Sequence, residues 1–117
     1  MNAQRHTIVV ETDSGGNATA YSQNITGRIH SLSYLKDDFA DGVDFTVTLE
    51  RTGQSVWMDT NINASETVYP VAAANLGTTG AASTLSEVPI IAANDRLKIV
   101  VAAGGDTKSG TFDLVVT

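Results

Sequence analysis

The chain has 117 residues, 42% of them hydrophobic, which is the size and composition of one globular domain. Its 13 acidic residues outweigh 7 scattered basic ones for a formal charge of −6, so neither a nucleic-acid backbone nor an anionic membrane is an expected partner. There is no cysteine, which excludes disulfides, thiolate nucleophiles, iron–sulfur clusters and cysteine-ligated zinc.

Met1–His6 is polar and lacks the apolar stretch of a signal peptide, so it is expected to be a flexible N-terminal arm on a protein made in the cytoplasm. Thr7–Thr12 follows as a strand with Ile8 and Val10 on one face, and Asp13–Asn17 as a turn. Ala18–Ile25 is a second strand through Tyr21. Gly27–Lys36 is a third, and its alternation changes phase between Ile29 and Leu32, which predicts a β-bulge or bend. Asp44–Glu50 is the clearest strand, with Phe45, Val47 and Leu49 facing one way and Thr46, Thr48 and Glu50 the other.

Gln54–Asp59 pairs with it across Thr52-Gly53. If Val56 and Met58 face the core there, Trp57 faces out. Thr67–Val71 is a short strand whose Pro70 makes it an edge or a strand end. Ala72–Asn75 is the one plausible helical turn, and the small, polar Leu76–Ser86 reads as a long mobile loop. Val88–Ile91 is another edge strand with a proline. Arg96–Val101 and Thr111–Val116 alternate strictly, and Gly104–Gly110 between them reads as a hairpin loop. The sum is a single all-β domain over residues 1–117, an antiparallel β-sandwich of jelly-roll or immunoglobulin-like type with about eight or nine short strands.

No catalytic pattern emerges. The chain's two histidines, His6 and His30, form no His-x-x-x-His pair, and there is no Gly-x-Ser-x-Gly elbow. Asp37, Asp38, Asp41 and Asp44 crowd one loop, but Phe39 stands where a calcium ligand belongs, so a solvated turn is the better reading. Tyr21, Tyr34, Trp57 and Tyr69 offer a sugar-stacking platform if they converge. Neither a cofactor nor a metal is expected, and no enzymatic activity.

Two segments carry a family likeness. Ala92–Phe112 contains Asn94-Asp95-Arg96-Leu97-Lys98-Ile99-Val100-Val101-Ala102-Ala103-Gly104-Gly105, and Asn17–Ser22 leads to Thr26-Gly27-Arg28-Ile29. Together they resemble small proteins encoded among the head genes of tailed bacteriophages. The resemblance implies a virion structural protein, a capsid decoration (cement) protein on the outside of the head. Its implied partners are the major capsid protein and further copies of itself, as a dimer or trimer. The family brings no catalytic motif. Candidate contacts are Trp57, Tyr69, the Leu76–Ser86 loop with Leu76 and Leu85, and the N-terminal arm with Arg5 and His6. Two other readings stand beside it: another virion component of the tail, neck or fibre, and a carbohydrate- or ligand-binding β-sandwich.

Overall fold

The computed structural model describes residues 3–117. The β-branched, turn-punctuated sequence folds into eleven strands and no helix among these residues. They are β1 (Gln4–Glu11), β2 (Ala18–Tyr21), β3 (Ile25–Leu35), β4 (Val43–Leu49), β5 (Ser55–Ile62), β6 (Glu66–Val68), β7 (Val71–Asn75), β8 (Ala82–Pro89), β9 (Ile91–Asp95), β10 (Leu97–Ala102) and β11 (Ser109–Val116). The fold is an antiparallel β-sandwich. One sheet runs β1-β11-β3-β6, with β9 also on β3, and the other runs β2-β10-β4-β5.

The core lies between the sheets. Ile8, Val10, Leu32, Phe112 and Leu114 face inward from the first sheet; Phe45, Val47, Leu97, Ile99 and Val101 face them from the second. These are the inward positions that period two predicts for β1, β4, β10 and β11. The predicted bulge in β3 is present. The β11 ladder pairs Val115 with Ser31 and Val116 with Ile29, skipping His30, and Ser31 and Leu32 are both buried.

Aromatic rings fill the centre. Phe45 lies 5.1 Å from Tyr34, 5.1 Å from Phe112 and 4.7 Å from Trp57, centroid to centroid. The Tyr34 hydroxyl is buried with no hydrogen-bond partner among the described residues. Burial, with Asp37 and Asp41 adding to it, pushes its pKa up to about 12. In the unfolded chain the phenol ionises near its ordinary value of 10, and in the folded chain only near 12. The folded state therefore holds the proton longer. Stability is complete below pH 10 and falls as pH rises toward 12. Tyr34→Phe is expected to remove that alkaline loss and to match or exceed the wild type at neutral pH, because no hydrogen bond is given up. Urea titrations at pH 8 and pH 11 check it; a neutral-pH loss above about 1 kcal/mol would mean that the hydroxyl has a partner.

Several local expectations are corrected. The second strand ends at Tyr21, because Ser22 turns inward: its amide bonds Leu97 O at 3.0 Å and its Oγ accepts from Leu97 N at 2.9 Å. Gly104–Gly110 is not a hairpin loop. It crosses from β10 in one sheet to β11 in the other, tied by Gly104 N to Gly16 O and by Ala40 N to Gly104 O, both 3.0 Å. Gln4–His6 is not a flexible arm but the start of β1, with Gln4 opposite Val116; Met1 and Asn2 lie outside the described residues. The strands outnumber the expectation because Ala72–Asn75 is strand rather than helical turn, and most of Leu76–Ser86 is strand and tight turn rather than loose loop.

Candidate interaction surface

β3 is long enough to carry two partners on one edge. Its C-terminal half pairs with β6 through Leu32, Ser33 and Tyr34. Its N-terminal half pairs with β9 through Ile25, Gly27 and Arg28. Between these two strands the chain leaves the sheet, runs out as β7, turns and returns as β8. Buried Pro70 and Ile90 anchor the two roots, and Ile29 N bonds Ile90 O at 2.9 Å.

The excursion is a two-stranded ribbon. Val71 pairs with Pro89, Ala72 with Val88 and Ala73 with Glu87; Asn75 then pairs with Ala82, leaving Ser83–Ser86 as a wide bulge opposite Ala74 alone. Its turn is well bonded: Leu76 N reaches Ala81 O, Gly80 N reaches Leu76 O and Asn75 Nδ2 reaches Gly80 O, each at 2.8 Å. Gly80 sits at φ +74°, where a residue with a side chain is strained. The bulge throws Leu85 outward to 93% exposure, and Leu85 N donates its hydrogen bond to the neighbouring Ser83 Oγ rather than to a strand.

Apolar side chains collect there without cover. Tyr69 is 68% exposed, and Val71, Leu76, Val88 and Ile91 are exposed with it. The Tyr69 ring meets His30 edge-on at 5.7 Å. Shallow clefts flank the root. One of about 280 Å³ lies among Arg28, His30, Tyr69, Val71 and Val88; another of about 330 Å³ lies among Leu49, Gln54, Ala72 and Ile90. A two-stranded hairpin is at best marginally stable alone in water, and its exposed apolar side chains make the ribbon the candidate interaction surface.

The contact residues expected from sequence divide cleanly. Tyr69 lies at the root of the ribbon, Leu76 at its turn and Leu85 in its bulge, all three exposed. Trp57 does not face out. The β4 ladder pairs Val47 with Trp57 and then Thr48 with Ser55, so Val56 is an extra residue; Val56 and Trp57 both turn inward, and Met58 takes the exposed position. Arg5 and His6 lie on β1, which forms the opposite edge of the first sheet from β6 and β9. There Arg5 Nη1 reaches Asp113 at 3.3 Å, and Thr7 Oγ1 donates to the same carboxylate at 2.7 Å. His6 is half-buried, beside a cleft of about 360 Å³ that also borders Tyr21 and Gln23.

Val71, Val88 and Ile91 were not among the expected contacts. Their signal was the near-absence of charge from residue 69 to 91, where Glu87 stands alone.

The four aromatics make no platform. Tyr34 and Trp57 are in the core, and Tyr21 lies under the Arg96 guanidinium, 4.0 Å from ring centroid to Cζ. Arg96 is held there by Glu50, with Nε and Nη2 each 2.9 Å from a carboxylate oxygen. The hydrogen bond to Arg96 lowers the Glu50 pKa and raises that of Arg96.

The aspartate loop is used structurally. Asp37 accepts from Thr111 Oγ1 at 2.6 Å, Asp44 from Asn61 N at 2.9 Å, Asp38 from Ser109 N, and Asp41 pairs with Lys36. Among the described residues no three acidic or histidine side chains are grouped to hold a metal.

No protein-family model matches the chain. No curated protein matches it either. Among solved structures it is similar to the C-terminal CBM6 of LamC, a marine laminarinase from Zobellia galactanivorans, with a TM-score of 0.48 and 10% identity over 99% of this chain and 100% of that one. A likeness of that degree says nothing about what this chain binds.

Proposed function

We propose that this chain is a bacteriophage virion structural protein, a capsid decoration subunit that sits on the outside of the head and strengthens contacts between major capsid subunits. It is made in the host cytoplasm and acts by binding alone. The observation that carries this reading is the uncovered apolar ribbon that projects from the sandwich. The sandwich supplies a rigid body, and the ribbon supplies apolar surface for a larger assembly to cover. The likeness of Asn17–Ile29 and Ala92–Phe112 to phage head proteins supplies the kind of assembly. Repetition over a shell turns modest contacts into strong attachment.

The test is copy number in purified particles of the source phage, by quantitative mass spectrometry against the major capsid protein. Near-stoichiometric amounts are expected. A handful of copies moves the protein to the neck or tail, and absence overturns the virion reading. A companion variant replaces Val71–Pro89 with a two-residue turn, because Val71 and Pro89 already face each other across the ribbon. It is expected to keep the sandwich's circular dichroism and to lose attachment to heads. Glycan-array binding abolished by Tyr69→Ala, with no head binding, would instead establish the carbohydrate-binding reading.

A further inference from the structure

We infer that the free edge of β1 takes up an extended peptide segment of another protein as an added antiparallel strand, with a carboxylate beside Arg5 and an apolar side chain beside Val9. This site lies on the opposite edge of the first sheet from the root of the ribbon and does not depend on what the ribbon binds.

The free edges of the two sheets are not alike. β2 has four residues and β6 three, and β5 and β9 break register with their neighbours. Short or bulged edge strands resist pairing with other chains. β1 keeps one register with β11 over all eight of its residues, and from His6 to Val10 it carries no Lys, Arg, Asp, Glu or Pro. The ladder fixes which way its backbone groups point. Thr12 N donates to Lys108 O at 2.8 Å, and antiparallel bonding alternates along a strand. Val10, Ile8 and His6 therefore bond β11, while Val9, Thr7 and Arg5 turn their N–H and C=O groups to the free edge.

A cleft runs along that edge. β1 and β2 meet at the Asp13–Asn17 turn, but β2 stops at Tyr21, where Ser22 turns in toward Leu97. The gap of about 360 Å³ that opens there has residues 5–9 on one side and Tyr21, Ser22 and Gln23 on the other. Five residues of extended chain, about 17 Å, match the length of β1 that lines it.

The lining sets the chemistry of the added strand. It contains Arg5 and no Asp or Glu. Arg5 meets Asp113 through Nη1 alone, at 3.3 Å, so most of its guanidinium fork is left for a second carboxylate. Val9 faces the same way as Arg5 and is 66% exposed. On the inner side, His6 Nε2 is buried with no hydrogen-bond partner among the described residues. An amide side chain on the added strand satisfies it once the ring turns into the cleft. An antiparallel strand reading Val-Val-Thr-Asn-Glu puts valine beside Val9, asparagine beside His6 and glutamate beside Arg5.

Fluorescence anisotropy of the full chain with a dye-labelled, end-capped peptide of that sequence tests it. Saturable binding with a dissociation constant below about 1 mM is expected. Val9→Pro removes an edge N–H that no ladder bond uses, so it is expected to keep the wild-type circular dichroism and to bind roughly tenfold more weakly or worse. A peptide with lysine in place of glutamate is expected to bind the wild type about tenfold more weakly and to recover on Arg5→Glu. Amide resonances of residues 5–9 and 21–23 are expected to shift on binding. The variant without the ribbon is expected to bind the peptide as the wild type does, whatever its attachment to heads. No saturable binding, shifts confined to residues 71–89, or a Val9→Pro variant that binds like the wild type overturns the inference. The same shifts on concentrating the chain alone put a second copy on this edge and overturn it as well.

Discussion

Phe45→Ala is expected to cost about 3–5 kcal/mol and to lower the melting temperature by roughly 10–20 °C. Phe45 is 2% exposed and sits where the two sheets meet. Its ring touches Tyr34 and Phe112 from the opposite sheet and Trp57 from its own. Removing it leaves a void bounded by three rings on three different strands, and none can close on the gap without leaving its ladder. A domain of this size has a total stability of about 5–15 kcal/mol, so the variant is close to the limit of folding. Phe45→Leu keeps most of the volume and is expected to cost less than half as much. Thermal and urea unfolding followed by far-UV circular dichroism measure both. A loss under about 1 kcal/mol for Phe45→Ala would mean that the sheets are not held together through this ring.

Gly110→Val is expected to cost about 3 kcal/mol, for the opposite reason. Gly110 lies in β11 opposite Val10, and even a Cβ added there would overlap the Phe39 ring. Phe39 is 2% exposed and caps one end of the core, stacked 6.2 Å from Tyr34. The ring has to leave its place before a side chain can enter. Phe39→Ala is therefore expected to cost much less in the Gly110→Val background than in the wild type, and a double-mutant cycle by urea unfolding reads that coupling. Gly77→Ala is the control. Nothing lies within 4 Å of its added Cβ, so it is expected to change stability by less than about 0.5 kcal/mol. Additive losses at Phe39 and Gly110 would show that the two do not share space.

Legibility in the sequence followed burial. β4 and β11 each present one face to the core, so their side chains record the period of two, and Phe45, Val47, Leu49, Phe112 and Leu114 were readable as inward. The bulge in β3 was readable because it shifts that record. The bulge at Val56 was not. Val56, Trp57 and Met58 are all apolar, so hydrophobicity alone cannot say which two face in, and the pairing with Val47 and Thr48 decides it. The ribbon was invisible as strand for a related reason. β7 and β8 bury almost nothing, so no alternation was imposed on them, and an alanine-rich run reads equally well as helix or loop. The crossing at Gly104–Gly110 depends on which sheet β11 joins, a choice made by β1 and β3, far away in sequence.

The contact residues show the same division. Tyr69, Leu76 and Leu85 stood out as apolar residues in a stretch nearly free of charge, and the structure leaves all three exposed. Arg5 and His6 were misplaced because a polar N-terminal segment looks unpaired until Asp113 is known to lie across from it. The segments 17–29 and 92–112 prove to be neighbours in space. Ala18–Tyr21 pairs with Lys98–Val101, and Ile25–Arg28 with Ile91–Asp95. They form the frame behind the ribbon rather than the ribbon itself.

That frame also decides how the molecule bears load. Gln4 lies opposite Val116, so tension drawn between residues 4 and 116 peels β1 from β11 one pair after another, and little force is needed at any moment. Tension entering through the ribbon arrives instead at β6 and β9, both bonded to β3, which β11 holds on its other side. The two routes therefore load different ladders: the strand ends load β1 against β11, and the ribbon loads β6 and β9 against β3.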